Sequence, residues 1–129
     1  MNPKWNNSQP IYLQLREHAI AMILDGILSD GDPLPSVRQV AADFQLNPIT
    51  VSKAYQSLVE DELVERRRGL GMFVRPGARE ELLKAEREKF LEQQWPSIRE
   101  RILRLGLDPK SLLQSIDDEQ EHTTLNTKH

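Results

Sequence analysis

A chain of 129 residues can build one small domain with an appendage, and it is too short for two independent cores. Hydrophobic residues make up 38% and charged residues 29% of it, and no apolar run approaches the ~20 residues of a spanning helix. The first ten residues lack the apolar stretch of a signal peptide and there is no cysteine, which excludes disulfides and thiolate metal sites, so a cytoplasmic protein with no membrane partner is expected. The net charge of -3 hides a local excess. Between residues 36 and 59 the only charges are Arg38, Asp43 and Lys53, whereas Arg66, Arg67, Arg68 and Arg75 then stand against Glu65 alone. These stretches carry the positive field that a nucleic-acid binder of modest non-specific affinity needs.

The first periodic segment covers residues 10–28, with Tyr12, Leu15, Ala19, Met22, Ile23 and Ile27 at helical spacing. Turn formers at residues 29–33 stop it. Ser36 then opens a second helix, where Ser36 and Gln39 satisfy the capping-box pattern and Val37, Val40, Ala41 and Phe44 form the apolar stripe. After a turn of about three residues, Asn47 as N-cap and Pro48 at the first helical position start a third. Its buried side is Val51, Ala54, Tyr55, Leu58 and Val59, which turns Thr50, Lys53, Gln56 and Ser57 outward. That outer face is polar and nearly uncharged, suited to hydrogen bonding with base edges.

Residues 63–66 and 72–75 read as two short strands, joined through residues 67–71, where Gly69 and Gly71 permit the positive φ of a hairpin. Pro76 and Gly77 break the chain, and from residue 78 a second periodic region carries Leu82, Leu83, Phe90, Leu91, Ile98, Ile102 and Leu105. Pro96 kinks or splits it, Gly106 closes it, and Pro109 begins a short last helix with Leu112, Leu113 and Ile116. The expected fold is mainly α with a small β-hairpin wing: a winged helix-turn-helix over residues 1–76, a helical arm over 77–119 and a disordered tail over 120–129. The arm's apolar side chains are too many to leave wet and too few to enclose a core, so a second copy is expected to cover them. Leu83, Phe90, Leu91, Trp95, Ile98, Ile102 and Leu105 are the dimerisation candidates, with Trp95 reading equally well as an internal packing residue.

Catalysis finds little support. His18, His122 and His129 are scattered without paired carboxylates, and residues 69–71 lack the third glycine and following lysine of a phosphate loop. Two functional classes remain, a DNA-binding regulator and a winged helix that uses its helices to bind another protein.

Residues 34–41, followed by residues 47–51, Ala54, Leu58 and residues 69–74, resemble the signature of the GntR family, and the short helical C-terminus is similar to its YtrA-like subgroup. The resemblance implies a non-enzymatic regulator without cofactor: a homodimer paired through its C-terminal helices, repressing at a palindromic operator, often of transporter genes. About 50 residues cannot house the effector domains of larger relatives, so no small-molecule effector is expected. Carried over by position, the resemblance assigns double-stranded DNA contacts to Ser36, Arg38, Asn47, Thr50, Lys53, Arg67, Arg68, Gly69 and Gly71. Ser36 also reads as a helix cap, Arg38 and the wing arginines as solvated charges, Thr50 and Lys53 as ordinary surface, and the glycines as hairpin residues. Two departures stand out: Gln45 holds a turn position where glycine is common, and Pro48 stands where many relatives have arginine.

Overall fold

The computed structural model describes the backbone of residues 4–127 and the side chains of residues 4–121. Two compact units divide the chain, Met1–Ala85 and Glu86–His129.

In the first unit α1 is Ile11–Leu24, α2 Val37–Phe44 and α3 Pro48–Glu60, followed by β1, Val64–Arg67, and β2, Gly71–Val74. The helix α1 is shorter than its periodicity suggests. Gly26, at φ 79°, turns the chain after Asp25, and the amides of Ile27 and Leu28 both fold back onto the Met22 carbonyl. Leu28 is thereby buried, whereas Ile27 is 64% exposed instead of continuing the stripe.

Local chemistry explains the ends of α2 and α3. The Ser36 hydroxyl accepts from the Gln39 amide at 3.0 Å, and the Asn47 Oδ1 accepts from the Ile49 amide at 2.9 Å, with Pro48 at the start of α3. The expected capping box is only half formed. Gln39 Nε2 donates instead to the Asp43 carboxylate one turn later, at 2.9 and 3.1 Å, a charge-assisted bond that holds the side chain along the helix. Between α2 and α3, Gln45 adopts φ 55° and ψ 49°, left-handed backbone that costs a residue with a side chain about 1–2 kcal/mol and that the tight turn imposes.

The hairpin pairs Val64 with Val74 through to Arg67 with Gly71, one residue out from the expected limits of both strands. A third extended segment, unforeseen among the turn formers, lies along the other edge of β2. Gly31 donates to the Val74 carbonyl at 2.8 Å, Val74 to Asp32 at 2.9 Å and Leu34 to Met72 at 2.8 Å, with Pro33 bridged to Phe73. Proline fits there because flanking residues supply the bonds on this edge. The wing is thus anchored to the segment that enters α2.

The core is one cluster, in which Ile23, Val51, Ala54, Leu58, Val64 and Val74 are shut off from solvent. Each large apolar side chain there contributes roughly 1.5–3 kcal/mol of burial. The first unit continues past the break at Pro76 and Gly77, where the sequence suggests its boundary. Ala78 is buried, Leu82 packs on the core, and Arg79 Nε donates to the Leu24 carbonyl at 3.0 Å. These residues open α4, Ala78–Lys89, in which the first unit ends.

In the second unit a π-helical turn, Phe90–Gln94, leads into α5, Trp95–Leu105, and Gly106 in left-handed conformation closes α5 before α6, Pro109–Thr127. Pro96 neither breaks the helix nor leaves it regular. It lacks an N–H, and its ring would press on the Glu92 carbonyl in an α-helix; the turn before it is widened, with the Trp95 amide reaching back to the Phe90 carbonyl. The last helix runs beyond residue 119, where the disordered tail was expected, because a sequence such as Asp118 to Glu121 is compatible with a solvated helix. Residues 128 and 129 of that expected tail, and the side chains of residues 122–127, lie outside what the structure describes.

Candidate nucleic-acid interface

Helix α3 turns a column of Ile49, Ser52, Lys53, Gln56 and Glu60 to solvent, while Thr50 and Ser57 are half-buried. The outward set expected from the sequence is therefore rotated by part of a turn. Ile49 and Ser52 enter it, and Thr50 recedes toward its edge. Ile49 is 74% exposed near the start of α3, where an apolar side chain can meet a thymine methyl group. Its signal lies in the sequence: Ile49 shares its helical column with Ser52, Lys53 and Gln56, so it falls outside the apolar stripe.

Lys53 is held from below. Its ammonium sits 4.2 Å from the centroid of the Tyr12 ring on α1, so Tyr12 restricts where that charge points. Gln56 in the same column accepts from Arg66 Nη2 at 3.3 Å, which joins α3 to the root of the hairpin. Neither Tyr12 nor Arg66 was among the expected site residues, because both act through partners distant in sequence.

The wing arginines differ. Arg67 pairs with Glu65 at 2.9 Å and lies 4.2 Å from the Phe73 ring centroid, so its charge is already engaged. Arg68 is exposed at the hairpin tip beside Gly69, at φ 77°, a conformation that favours glycine. Arg38 is exposed on the first turn of α2 next to Ser36, and Ser36 and Asn47 use their side-chain oxygens as caps. Both retain hydrogens for donation, since a hydroxyl or amide that accepts at oxygen still carries O–H or N–H groups.

Tyr55 fixes the two helices of this surface to each other. Its hydroxyl donates to the Pro35 carbonyl at 2.7 Å, and burial pushes its phenol from 10.0 up to about 12. A raised folded value means that the unfolded chain loses this proton first. The stability tied to the neutral phenol is complete below pH 10 and is lost as pH rises toward about 12. Tyr55→Phe is expected to cost about 1 kcal/mol at pH 7 through the lost hydrogen bond, and to flatten the decline in alkali. Urea unfolding at pH 7 and pH 11 checks both; an alkaline decline as steep as that of the parent protein contradicts the assignment.

The profile for bacterial regulatory proteins of the gntR family matches residues 9–74, from the start of α1 to the end of the wing. The chain belongs to the GntR family. This GntR protein is 38% identical over 87 residues to the HTH-type transcriptional repressor YtrA of Bacillus subtilis, which covers 67% of each chain. Among solved structures it is similar to a GntR family transcriptional regulator from Listeria monocytogenes, with TM-score 0.66 and 26% identity over 88% of this chain and 98% of that one. It is also similar to the AraR DNA-binding domain in complex with operator ORX1, with TM-score 0.51 and 26% identity over 57% of this chain and 89% of that one. It is accordingly a DNA-binding transcription regulator and not an enzyme. Among the described residues no helix is long and apolar enough to cross a membrane.

Proposed function

We propose that this GntR protein acts in the cytoplasm as a homodimeric repressor on a palindromic operator. The observation that carries the reading is the face of α5: Trp95, Ile98, Ile102 and Leu105 follow one another at spacings of three and four residues. Such a stripe lines one side of a helix and seats against a copy of itself. Trp95, Ile98 and Leu105 are 36%, 37% and 64% exposed, and no described side chain from residue 86 onward is buried. Phe90 and Leu91, 41% and 58% exposed in the π-helical turn, extend the apolar surface, whereas Leu83 is half-buried on α4 within the first unit. A two-fold pairing is the commonest closed way to cover such a surface.

In this reading each recognition helix enters a major groove, with Ile49, Thr50, Ser52 and Lys53 near base edges. Arg38, Ser36 and Asn47 meet the backbone or flanking bases at the starts of α2 and α3, where helix N-termini favour phosphate. Arg68, Gly69 and Gly71 bring the wing to the adjoining groove, while Arg67 serves chiefly to brace the hairpin through Glu65 and Phe73. The likeness to YtrA supports the assignment to a repressor, and a transporter operon is the target class implied by the resemblance.

DNase footprinting and gel shifts on the DNA upstream of its own gene test the proposal. A protected inverted repeat with half-sites about one helical turn apart, or a multiple of it, is expected. Arg38→Ala is expected to weaken binding there by about 1–3 kcal/mol without lowering thermal stability. Protection without two-fold symmetry, or unchanged affinity of the variant, overturns the corresponding part.

A further inference from the structure

A cavity of about 440 Å³ is lined by α1, α2 and the segment that joins them, with Tyr55 of α3. Its walls are apolar and come from Leu15, Ala19, Leu28, Leu34 and Val40, all of them buried core residues. Its lining includes few polar side chains: the exposed Asp43, the half-buried His18 and the buried Tyr55. An apolar interior with a small set of placed polar atoms, in this range of volume, is the form of a small-molecule site.

The polar atoms select the kind of molecule. The Tyr55 hydroxyl donates its hydrogen bond to the Pro35 carbonyl, so the lone pairs left on the Tyr55 oxygen can only accept, and both residues line the cavity. Asp43 adds a carboxylate, held in place by Gln39. Phe44 also lines the cavity, with the His18 and Trp5 rings T-shaped to it at 5.9 and 6.0 Å between centroids. No lysine or arginine lines the cavity. An anion would meet the Asp43 carboxylate with only the His18 imidazole to offset it, and a wholly apolar guest would leave Asp43 unused. We propose that this cavity is a binding site for a small amphiphilic amine, an aromatic or branched alkyl group carrying one ammonium, with the apolar part inside and the ammonium at Asp43.

The location gives an occupant a route to the recognition helix. Tyr55 belongs to α3 and Pro35 immediately precedes the N-cap of α2, so a ligand touching both bears on the bond that holds the two helices in register. The site itself does not depend on the DNA reading and is tested without DNA.

Calorimetry on the full chain with 2-phenylethylamine as probe is expected to show one site per chain with a Kd of about 1 mM or tighter. Methylamine, which lacks the apolar part, and 3-phenylpropionate, which reverses the charge, are expected to bind about tenfold more weakly or not at all. Asp43→Asn keeps the shape and a partner for Gln39 and is expected to weaken the amine about tenfold. Amide shifts in the NMR spectrum should centre on Leu34, Val40 and Phe44. No binding of 2-phenylethylamine at 10-fold the expected Kd of about 1 mM, equal binding of the carboxylate, an undiminished Asp43→Asn affinity, or shifts confined to the acidic residues of α6 would each overturn the proposal.

Discussion

Aspartate at both Ile98 and Ile102 is expected to turn the full-length protein into a monomer and to weaken operator binding by about 10²- to 10⁴-fold. The two side chains sit one turn apart on α5, are 37% exposed and half-buried respectively, and line one shallow groove with Arg101, Leu105 and Leu107. Two carboxylates in each arm would have to be buried against two more across a two-fold axis, which neither desolvation nor like-charge repulsion allows. The loss in affinity is large because a dimer binds both half-sites in one event, and separate monomers must each meet the full entropy of association. The domain that carries α1 to β2 should keep its cooperative melting, because its core cluster draws nothing from residues beyond Leu82. Light scattering together with fluorescence anisotropy on operator DNA decides the matter. A wild-type monomer, or a double variant that remains dimeric, shows that these residues do not hold the assembly together.

Charge reversal at Lys53 together with Arg68 is expected to give the second large effect, a loss of about 10-fold or more on the operator and a comparable loss on random DNA. Both are exposed cations, one within the solvent-facing column of α3 and one at the tip of the wing. Each phosphate contact removed lowers the slope of log K against log salt by about 0.9 in the B-form duplex, so the variant's salt dependence should be visibly shallower. Tyr12→Ala offers a finer comparison, since it frees the Lys53 ammonium from the ring 4.2 Å away without removing the charge. It should reduce discrimination between operator and random DNA more than it alters the salt slope. A reversal variant with the parental slope would place both cations away from phosphate.

The helix starts of this protein were legible because their causes are local. Ser36 and Asn47 bond to amides three and two residues away, and Pro48 presets the backbone where its missing N–H costs nothing. The apolar stripe of α3 and the glycine hairpin likewise depend on spacing alone, and together they were enough to place a winged helix-turn-helix and its family. Only the tertiary structure decided what the exposed groups are free to do. Residues 31–34 look like a turn until β2 offers them an edge, and the Pro76 break looks like a boundary until Ala78 and Leu82 find the core. The same holds for charge. In the sequence Arg67 and Arg68 are equivalent cations, yet Arg67 lies between Glu65 and Phe73 while Arg68 is exposed at the tip, and Lys53 is directed by an aromatic ring from another helix. Helix caps and the hairpin turn answer to neighbours a few residues away, so sequence determines them; an extended edge and the availability of a side chain depend on partners that only folding brings within a few ångströms.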